Sequence, residues 1–202
     1  MTSTRLITGA SHGIGLAMTA RCLRAGDRVF AVSRDPDRSD ALAVLAAEAP
    51  DRLHLLAADL CDEDAVARLF DTVREQTRTL DTLVHCAGLL HDADTGLWPE
   101  KRVEDVNLAA LQRVFALNSF APILLARYGL PLLRHDRRAV FASLSARVGS
   151  IEDNRLGGWY AYRASKAARQ KADRAGAASG HRGDRPVRPV PRQRAPGKAV
   201  QR

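Results

Sequence analysis

Five short apolar runs divide the first 143 residues, and a segment of helical period separates each run from the next. The runs are Thr4–Thr8, Val29–Ser33, Leu53–Ala57, Leu80–Cys86 and Ala139–Ser143. The intervening segments are Ile14–Ala25, Ala41–Glu48, Glu63–Arg74 and Val106 to about Leu133. In the third of them Val66, Leu69, Phe70 and Val73 recur at helical spacing. Runs that are apolar throughout, instead of alternating, predict strands covered on both faces. Strict alternation of strand and helix predicts right-handed crossovers and a parallel sheet. The expected fold is α/β, a doubly wound parallel sheet in a three-layer α/β/α arrangement. Residues 89–104, broken by Gly96 and Pro99, read as a loop. The fourth helix is expected to be interrupted at Gly129-Leu130-Pro131, and a further helix to run from Trp159 to about Ala175.

Charge divides the chain at its end. The 202 residues carry a net charge of +8, yet Lys and Arg balance Asp and Glu through residue 166. The whole excess lies in residues 167–202. Residues 176–202 contain no aromatic residue and no Leu, Ile or Met, while Pro186, Pro189, Pro191 and Pro196 recur within them. Such a segment buries too little apolar surface to offset its ordering entropy. The expected organisation is one domain over 1–175 and a disordered basic tail over 176–202. The tail has charge but no aromatic side chain for base stacking, so nucleic acid is not an expected partner. No uncharged apolar stretch reaches about 18 residues, so no membrane partner is expected either. Cys22, Cys61 and Cys86 are scattered and odd in number, with no metal-ligand or disulfide spacing. They read as reduced thiols of a cytoplasmic protein with no metal site.

The string Thr8-Gly9-Ala10-Ser11-His12-Gly13-Ile14-Gly15 ends the first strand and opens the first helix, the context in which a glycine-rich string carries weight. Gly9 allows a sharp turn, Gly13 lets backbone approach a pyrophosphate, and Gly15 permits close packing of helix on strand. The helix start then offers unpaired N–H groups to phosphate. The expected ligand is therefore a dinucleotide held on a Rossmann sheet, with Gly9, Ser11, His12, Gly13, Ile14 and Gly15 around it. Cofactor choice is read at the end of the second strand, where Ser33-Arg34 stands. The planar fork of Arg34 suits a 2′-phosphate and points to NADP. Asp35, one position on, suits a ribose hydroxyl and keeps NAD open. Asp59-Leu60 ends the third strand, placed to meet an adenine amino group or to cap the following turn. Cys86-Ala87-Gly88 ends the fourth, where small residues let a cofactor lie against the backbone.

Tyr162 and Lys166 stand four residues apart, on one face of a helix. A free phenol is a poor base near neutrality, and a nearby cation lowers its pKa. Tyr162 is thereby expected to exchange a proton with a carbonyl or alcohol oxygen. Tyr160 is its rival, but only Tyr162 has a Lys four residues on.

Taken together, the glycine string, Asp59, Cys86-Ala87-Gly88, Asn118, Ser145 and Tyr162-x-x-x-Lys166 resemble the short-chain dehydrogenase/reductase superfamily over about residues 4–168. The stretch from Ser145 to Lys166 is similar to its C-factor-like subgroup. The resemblance implies an NAD(P)-dependent oxidoreductase that passes hydride between nicotinamide and a carbonyl or alcohol substrate, a small molecule. It implies that Tyr162 is the acid/base and that Lys166 binds the nicotinamide ribose and lowers the Tyr162 pKa. Ser145 would hydrogen-bond the substrate oxygen, with Ser143 as the competing hydroxyl. Asn118 would hold a water that links Lys166 to solvent. The family commonly has Asn-Asn before Ala87-Gly88, where this chain has His85-Cys86.

The likeness fades in the middle of a helix. Ala167-Ala168 fits the family and Arg169-Gln-Lys-Ala-Asp-Arg174 departs from it. The family's sixth strand, Pro-Gly turn, substrate lid and later elements are not legible, and Pro196-Gly197 has no strand leading into it. An out-of-frame reading of a GC-rich gene gives this composition, so a frameshifted end is expected, with the C-terminal strands missing. Resequencing tests it. A sheet that lacks those strands exposes an edge and loses the family's dimer surface, so the homo-oligomer of the family is not expected here. The alternative reading of the chain is a truncated, catalytically inactive cofactor-binding domain.

Overall fold

The computed structural model describes residues 2–152 and 157–178, with the side chains of 2–152 and 157–172. Its elements are β1 (Thr4–Thr8), α1 (Gly13–Arg24), β2 (Arg28–Ser33), α2 (Asp40–Glu48), β3 (Leu53–Ala57), α3 (Glu63–Gln76), β4 (Thr82–His85), α4 (Leu108–Phe115), α5 (Ala121–Leu133), β5 (Val140–Ser143) and α6 (Tyr160–Ala178). The five strands form one parallel sheet in the order β3-β2-β1-β4-β5. The strand order reverses between β1 and β4, which opens a crevice beyond the carboxyl ends of those two strands.

The apolar runs fill both faces of this sheet. Leu6, Phe30, Val32 and Leu83 face one side and pack with Val66, Phe70 and Leu125 of α3 and α5. Ile7, Val29 and Ala31 face the other and pack with Leu23 and Leu42 of α1 and α2. Fully burying a side chain such as Phe30 or Leu6 contributes about 1.5–3 kcal/mol. Helix starts are set by side-chain caps. Ser39 Oγ accepts from Leu42 N at α2, Asp62 Oδ1 from Asp64 N and Ala65 N at α3, and Asn107 Oδ1 from Ala110 N at α4.

Three boundaries differ from the sequence expectation. The fourth strand is Thr82–His85 and not Leu80–Cys86, because Leu80 N turns to Leu132 O in α5 instead of to a neighbouring strand. The fourth helix is not interrupted at Gly129–Pro131. Pro131 lies one turn from the helix end, where its missing N–H removes a single bond, and Gly129 is packed against Leu83 and Phe70. The irregularity lies earlier: residues Ala116–Phe120 form a π-helical segment between α4 and α5. The whole stretch Leu108–Leu133 is long and apolar enough to cross a bilayer, with mean hydropathy 1.5. Here Ala121, Leu125, Leu132 and Leu133 are buried in the core, so it serves as a core helix. The final helix continues through Arg169 to Ala178, past the expected boundary at Ala175. The rest of the expected disordered tail, and residues 153–156 of the family-like stretch, lie outside the described residues.

Candidate active site

The glycine loop is built on one close approach. Gly9 adopts φ +67°, and a Cβ there would lie 2.6 Å from Ala87 N. Ends of β1 and β4 therefore meet only because residue 9 lacks a side chain. A Cβ on Gly15 would collide with the Gly9 carbonyl, which lets α1 start directly above the loop. Gly13, at φ +57°, has nothing within 4 Å of its Cβ position and faces open space. His12 precedes α1 without capping it by its side chain, and bonds Ser11 Oγ at 2.9 Å instead. The first turn of α1 has no acidic residue and presents an exposed Ile14. Its N–H groups are thus open to an anion, which a helix start favours.

At the end of β2, Ser33 Oγ is buried without a hydrogen-bond partner, and Arg34 is exposed and makes no ion pair among the described residues. Asp35, the residue that kept NAD open, faces Arg38 at 3.8 Å. Asp59 accepts from Cys61 N at 2.9 Å, the turn-capping role weighed for it, with its carboxylate exposed beside Arg34 in a groove of about 440 Å³. Leu60 is buried in the core, so only its backbone is offered to a ligand. Cys86 packs beside Met18, Sγ to Sδ 3.8 Å, and burial pushes its thiol up to about 11. The unpaired Ser33 hydroxyl, the open space at Gly13 and the uncapped start of α1 together fit a phosphorylated dinucleotide lying across β2, β1 and β4.

Beyond Gly88 the second group of residues converges. Asn118 is fully buried in the π segment. Its Oδ1 accepts from Leu89 N at 2.8 Å, and its Nδ2 donates to Leu89 O at 2.8 Å and to Ser165 Oγ at 3.1 Å. The side chain thus bonds the Leu89 backbone and α6. π segments recur at functional sites because they re-aim a helix locally. Ser165 Oγ donates to Tyr162 O at 2.8 Å, and Ser119 Oγ to Ser165 O at 2.8 Å, which pins α6 to the π segment. Lys166 is 4% exposed, and its Nζ donates to Leu144 O at 3.3 Å. The same Nζ lies 5.4 Å from the centre of the Tyr162 ring. A Cβ on Gly88 would fall 3.3 Å from Asn118 Oδ1 and 3.4 Å from Lys166 Nζ, so Gly88, Asn118, Lys166 and Tyr162 form one cluster.

The two candidate serines are now distinguished by their partners. Ser143 Oγ, half-buried, accepts from Arg169 Nη1 at 2.8 Å. Ser145 is exposed, and its Oγ accepts from Gln170 Nε2 at 3.1 Å, which leaves its own proton to donate outward.

One electrostatic expectation is corrected. Tyr162 is not lowered by Lys166: burial raises its pKa above the usual phenol value, and the opposing pull comes from the Arg169 cation. The reason is geometric, since the Lys166 ammonium sits over the ring face and on Leu144 O, away from the hydroxyl. Lys166 itself is lowered to about 8 by burial, reinforced by Arg169. His85, standing where the family has Asn, is 1% exposed and bonds Thr8 Oγ1 through Nδ1 at 2.8 Å. Burial, with Lys166 next, lowers it to about 3, so it is neutral.

Residues that the sequence reading gave no role also shape the site. Ser165 and Arg169 lie on the Tyr162–Lys166 helix and were visible by spacing. The π segment has no sequence signal of its own. Glu100 has none either: it is 5% exposed, and its carboxylate accepts from Ala161 N at 3.3 and 3.4 Å.

Known proteins resemble this chain in sequence and in fold. The model of the short chain dehydrogenase family matches residues 3–181. The 1-deoxy-11-beta-hydroxypentalenate dehydrogenase of Streptomyces exfoliatus is 39% identical over 154 residues, which cover 73% of this chain and 53% of that protein. The enzyme of the same name from Streptomyces arenae is 34% identical, with 51% of its length covered. The chain thus spans about half the length of these relatives. Among solved structures, a carbonyl reductase from Pseudomonas aeruginosa PAO1 in complex with NADP superposes with a TM-score of 0.78 at 29% identity, covering 90% of this chain and 74% of that one. An NADPH-bound carbonyl reductase from chicken fatty liver gives a TM-score of 0.77 at 28% identity, covering 88% and 73%. These matches support the superfamily and not the narrower C-factor-like subgroup. With the glycine loop, the switch-point crevice and the Tyr162–Lys166 cluster in place, this chain belongs to the short-chain dehydrogenase family.

Proposed function

We propose that the protein is an NADP-dependent oxidoreductase that reduces a small carbonyl compound to an alcohol. The observation that carries this reading is the convergence of half-buried Tyr162 with buried Lys166 and Asn118 at Gly88, one residue from the Ala87 backbone that Gly9 approaches. NADP-bound structure neighbours agree with the cofactor, and the exposed Arg34 supplies the 2′-phosphate contact. Gly9, Ser11, His12, Gly13, Ile14 and Gly15 would hold the pyrophosphate. Ser33 and Arg34 would hold the adenosine ribose and its phosphate, with Asp59 and Leu60 toward the adenine and Cys86-Ala87-Gly88 beneath. When bound, the nicotinamide supplies the hydride.

The chain's own groups handle the oxygen. Tyr162 donates its phenolic proton to the carbonyl oxygen as negative charge develops there. Its raised pKa keeps it protonated at neutral pH, which suits the reductive direction. Ser145 donates a hydrogen bond from its hydroxyl to the same oxygen and orients it, keeping its own proton. Lys166, at about 8 and so mostly charged near neutrality, would hold the nicotinamide ribose. Asn118 keeps Leu89 and α6 in register beside it. The three cysteines described make no disulfide, in keeping with a cytoplasmic location. The test is a titration of NADPH and then NADH into the purified chain, followed by a screen of aldehydes and ketones for NADPH consumption. Saturable NADPH binding with turnover is the expected result. Binding without turnover of any carbonyl gives the cofactor-binding domain instead, and no binding of either nucleotide overturns both readings.

A further inference from the structure

We propose that Glu100 is a positioning residue for Tyr162: its carboxylate and its carbonyl hold the first turn of α6, so that loop 89–104 sets the direction of the phenol. The inference rests on the reading of Tyr162 as the proton donor. α6 begins at Tyr160, and the N–H groups of its first turn have no partner within the helix. One of them, Ala161 N, donates to both oxygens of Glu100, at 3.3 and 3.4 Å. Immediately before the helix, Trp159 N donates to the Glu100 carbonyl at 2.6 Å. Glu100 therefore grips the chain on both sides of Tyr160, and Ala161 is the direct neighbour of Tyr162.

The approach to the helix needs such a grip. Gly157, Gly158 and Trp159 have φ values of +64°, +64° and +54°. Glycine adopts that region freely, but a bulky residue such as Trp159 is held there only by its surroundings. The Glu100 carbonyl is the partner that Trp159 N meets in that conformation. The Trp159 ring in turn stands edge-on to the Tyr162 ring, centroids 6.4 Å apart, so the strained turn touches the phenol as well as the helix start. A carboxylate at a helix N-terminus is favoured by the helix dipole, which explains how Glu100 is tolerated at 5% exposure.

The other end of the same loop is tied to the other side of the site. Leu89 N and O both bond the Asn118 amide, which also bonds Ser165 on α6. Between them, Asp92 and Leu97 pair, and Arg113 of α4 fastens Asp92 at 2.9 Å and Thr95 at 2.7 Å. The loop is thus a strap fixed at Leu89, Asp92 and Glu100, and its last anchor lies one residue from the proton donor.

The test compares Glu100→Ala, Glu100→Asp and Glu100→Gln with the parent chain. Asp keeps the charge and withdraws the oxygens by one methylene, whereas Gln removes the charge and keeps an oxygen that accepts from Ala161 N. The first readout needs no turnover: 3-fluorotyrosine is incorporated at the three tyrosines, and Tyr162→Phe assigns its fluorine resonance. The expected result is a displaced Tyr162 resonance in the Ala and Asp variants, a Gln variant close to the parent, and a Tyr128 resonance unmoved in all. The second readout is kinetic. Displacing a reacting group by about 1 Å costs on the order of a hundredfold, so kcat is expected to fall about ten- to hundredfold in the Asp variant with the NADPH KM unchanged, and to recover in the Gln variant. A Tyr162 resonance and kcat both unchanged in folded Glu100→Asp would overturn the proposal, as would a Gln variant no better than Asp. If Glu100→Ala does not fold, the Asp and Gln pair still decides. A parent chain that turns over no carbonyl, with the resonances behaving as expected, upholds the grip and refutes the proposed function.

Discussion

The sheet has two ends that are built by different means. At the proposed nucleotide end, β1, β2 and the loop between β1 and α1 are adjacent in sequence, and Leu6, Ile7, Val29, Phe30, Ala31 and Val32 are completely buried. At the catalytic end, every residue of β5 is only half-buried. There the proposed functional residues come from four separate places: Gly88 after β4, Asn118 in the π segment, Ser145 after β5 and Tyr162 with Lys166 on α6. Hydrogen bonds across long sequence separations hold them together, Asn118 to Leu89 and Ser165, Lys166 to Leu144, Arg169 to Ser143. A site made of local backbone tolerates change around it, whereas a site made of remote side-chain contacts depends on each of them.

That contrast has measurable consequences, and the largest lies at the catalytic end alone. Tyr162→Phe removes the proposed proton donor and should lower kcat by about 10²- to 10⁴-fold while NADPH affinity, which the proposal sets at the other end, stays as it was. Loss of binding in that variant would show that the ends are not separable. The second is structural. Gly9→Ala puts a Cβ within 2.6 Å of Ala87 N on a residue at φ +67°. Overpacking and backbone strain each cost about 1–3 kcal/mol, so urea denaturation should show a loss of roughly 2–6 kcal/mol, with NADPH binding lost as well. The third sharpens the nucleotide end. Arg34→Ala removes a charge-assisted contact worth about 1.5–3 kcal/mol, so the Kd for NADPH should rise about ten- to hundredfold and that for NADH should not change. An equal effect on both nucleotides would place Arg34 away from the 2′-phosphate.

The most gradual effect is a slope with pH, and it joins the two ends, because His85 of β4 bonds Thr8 of β1. His85 is lowered from 6.5 to about 3, first by burial and then by the Lys166 cation. Between those values the unfolded chain binds a proton that the folded chain refuses. Stability is therefore retained above pH 6.5 and falls as pH drops toward 3, by at most about 1.4 kcal/mol for each pH unit. Denaturation in urea across that range should show the slope, and His85→Asn should flatten it. A variant as acid-sensitive as the parent would assign the loss to other groups.

The glycine loop and the central strands were legible in the sequence because their signals are local. Glycines at 9, 13 and 15 between a strand and a helix have one structural use, and uniformly apolar runs at residues 4–8 and 29–33 become central strands without any long-range information. Tyr162 and Lys166 were legible for the same reason, four residues apart on one helix. What surrounds them was not. No pattern in residues 116–120 announces a π segment, since its geometry comes from the packing of α6 on Asn118 and Ser119. Nothing near Glu100 marks a carboxylate that will reach Ala161, a contact across 61 residues. The expected sign at Tyr162 failed in the same way: spacing placed a cation nearby, but burial and the position of Lys166 over the ring decide the outcome.

The most direct test is a single turnover of carbonyl reduction from prebound NADPH, with the parent chain and Tyr162→Phe followed side by side by loss of nicotinamide absorbance. NADPH bound equally by both, with rapid oxidation in the parent and a rate lower by about 10²-fold or more in the variant, is the result predicted for a proton donor at Tyr162. Equal rates in the two, or a parent chain that does not take up NADPH, would contradict it.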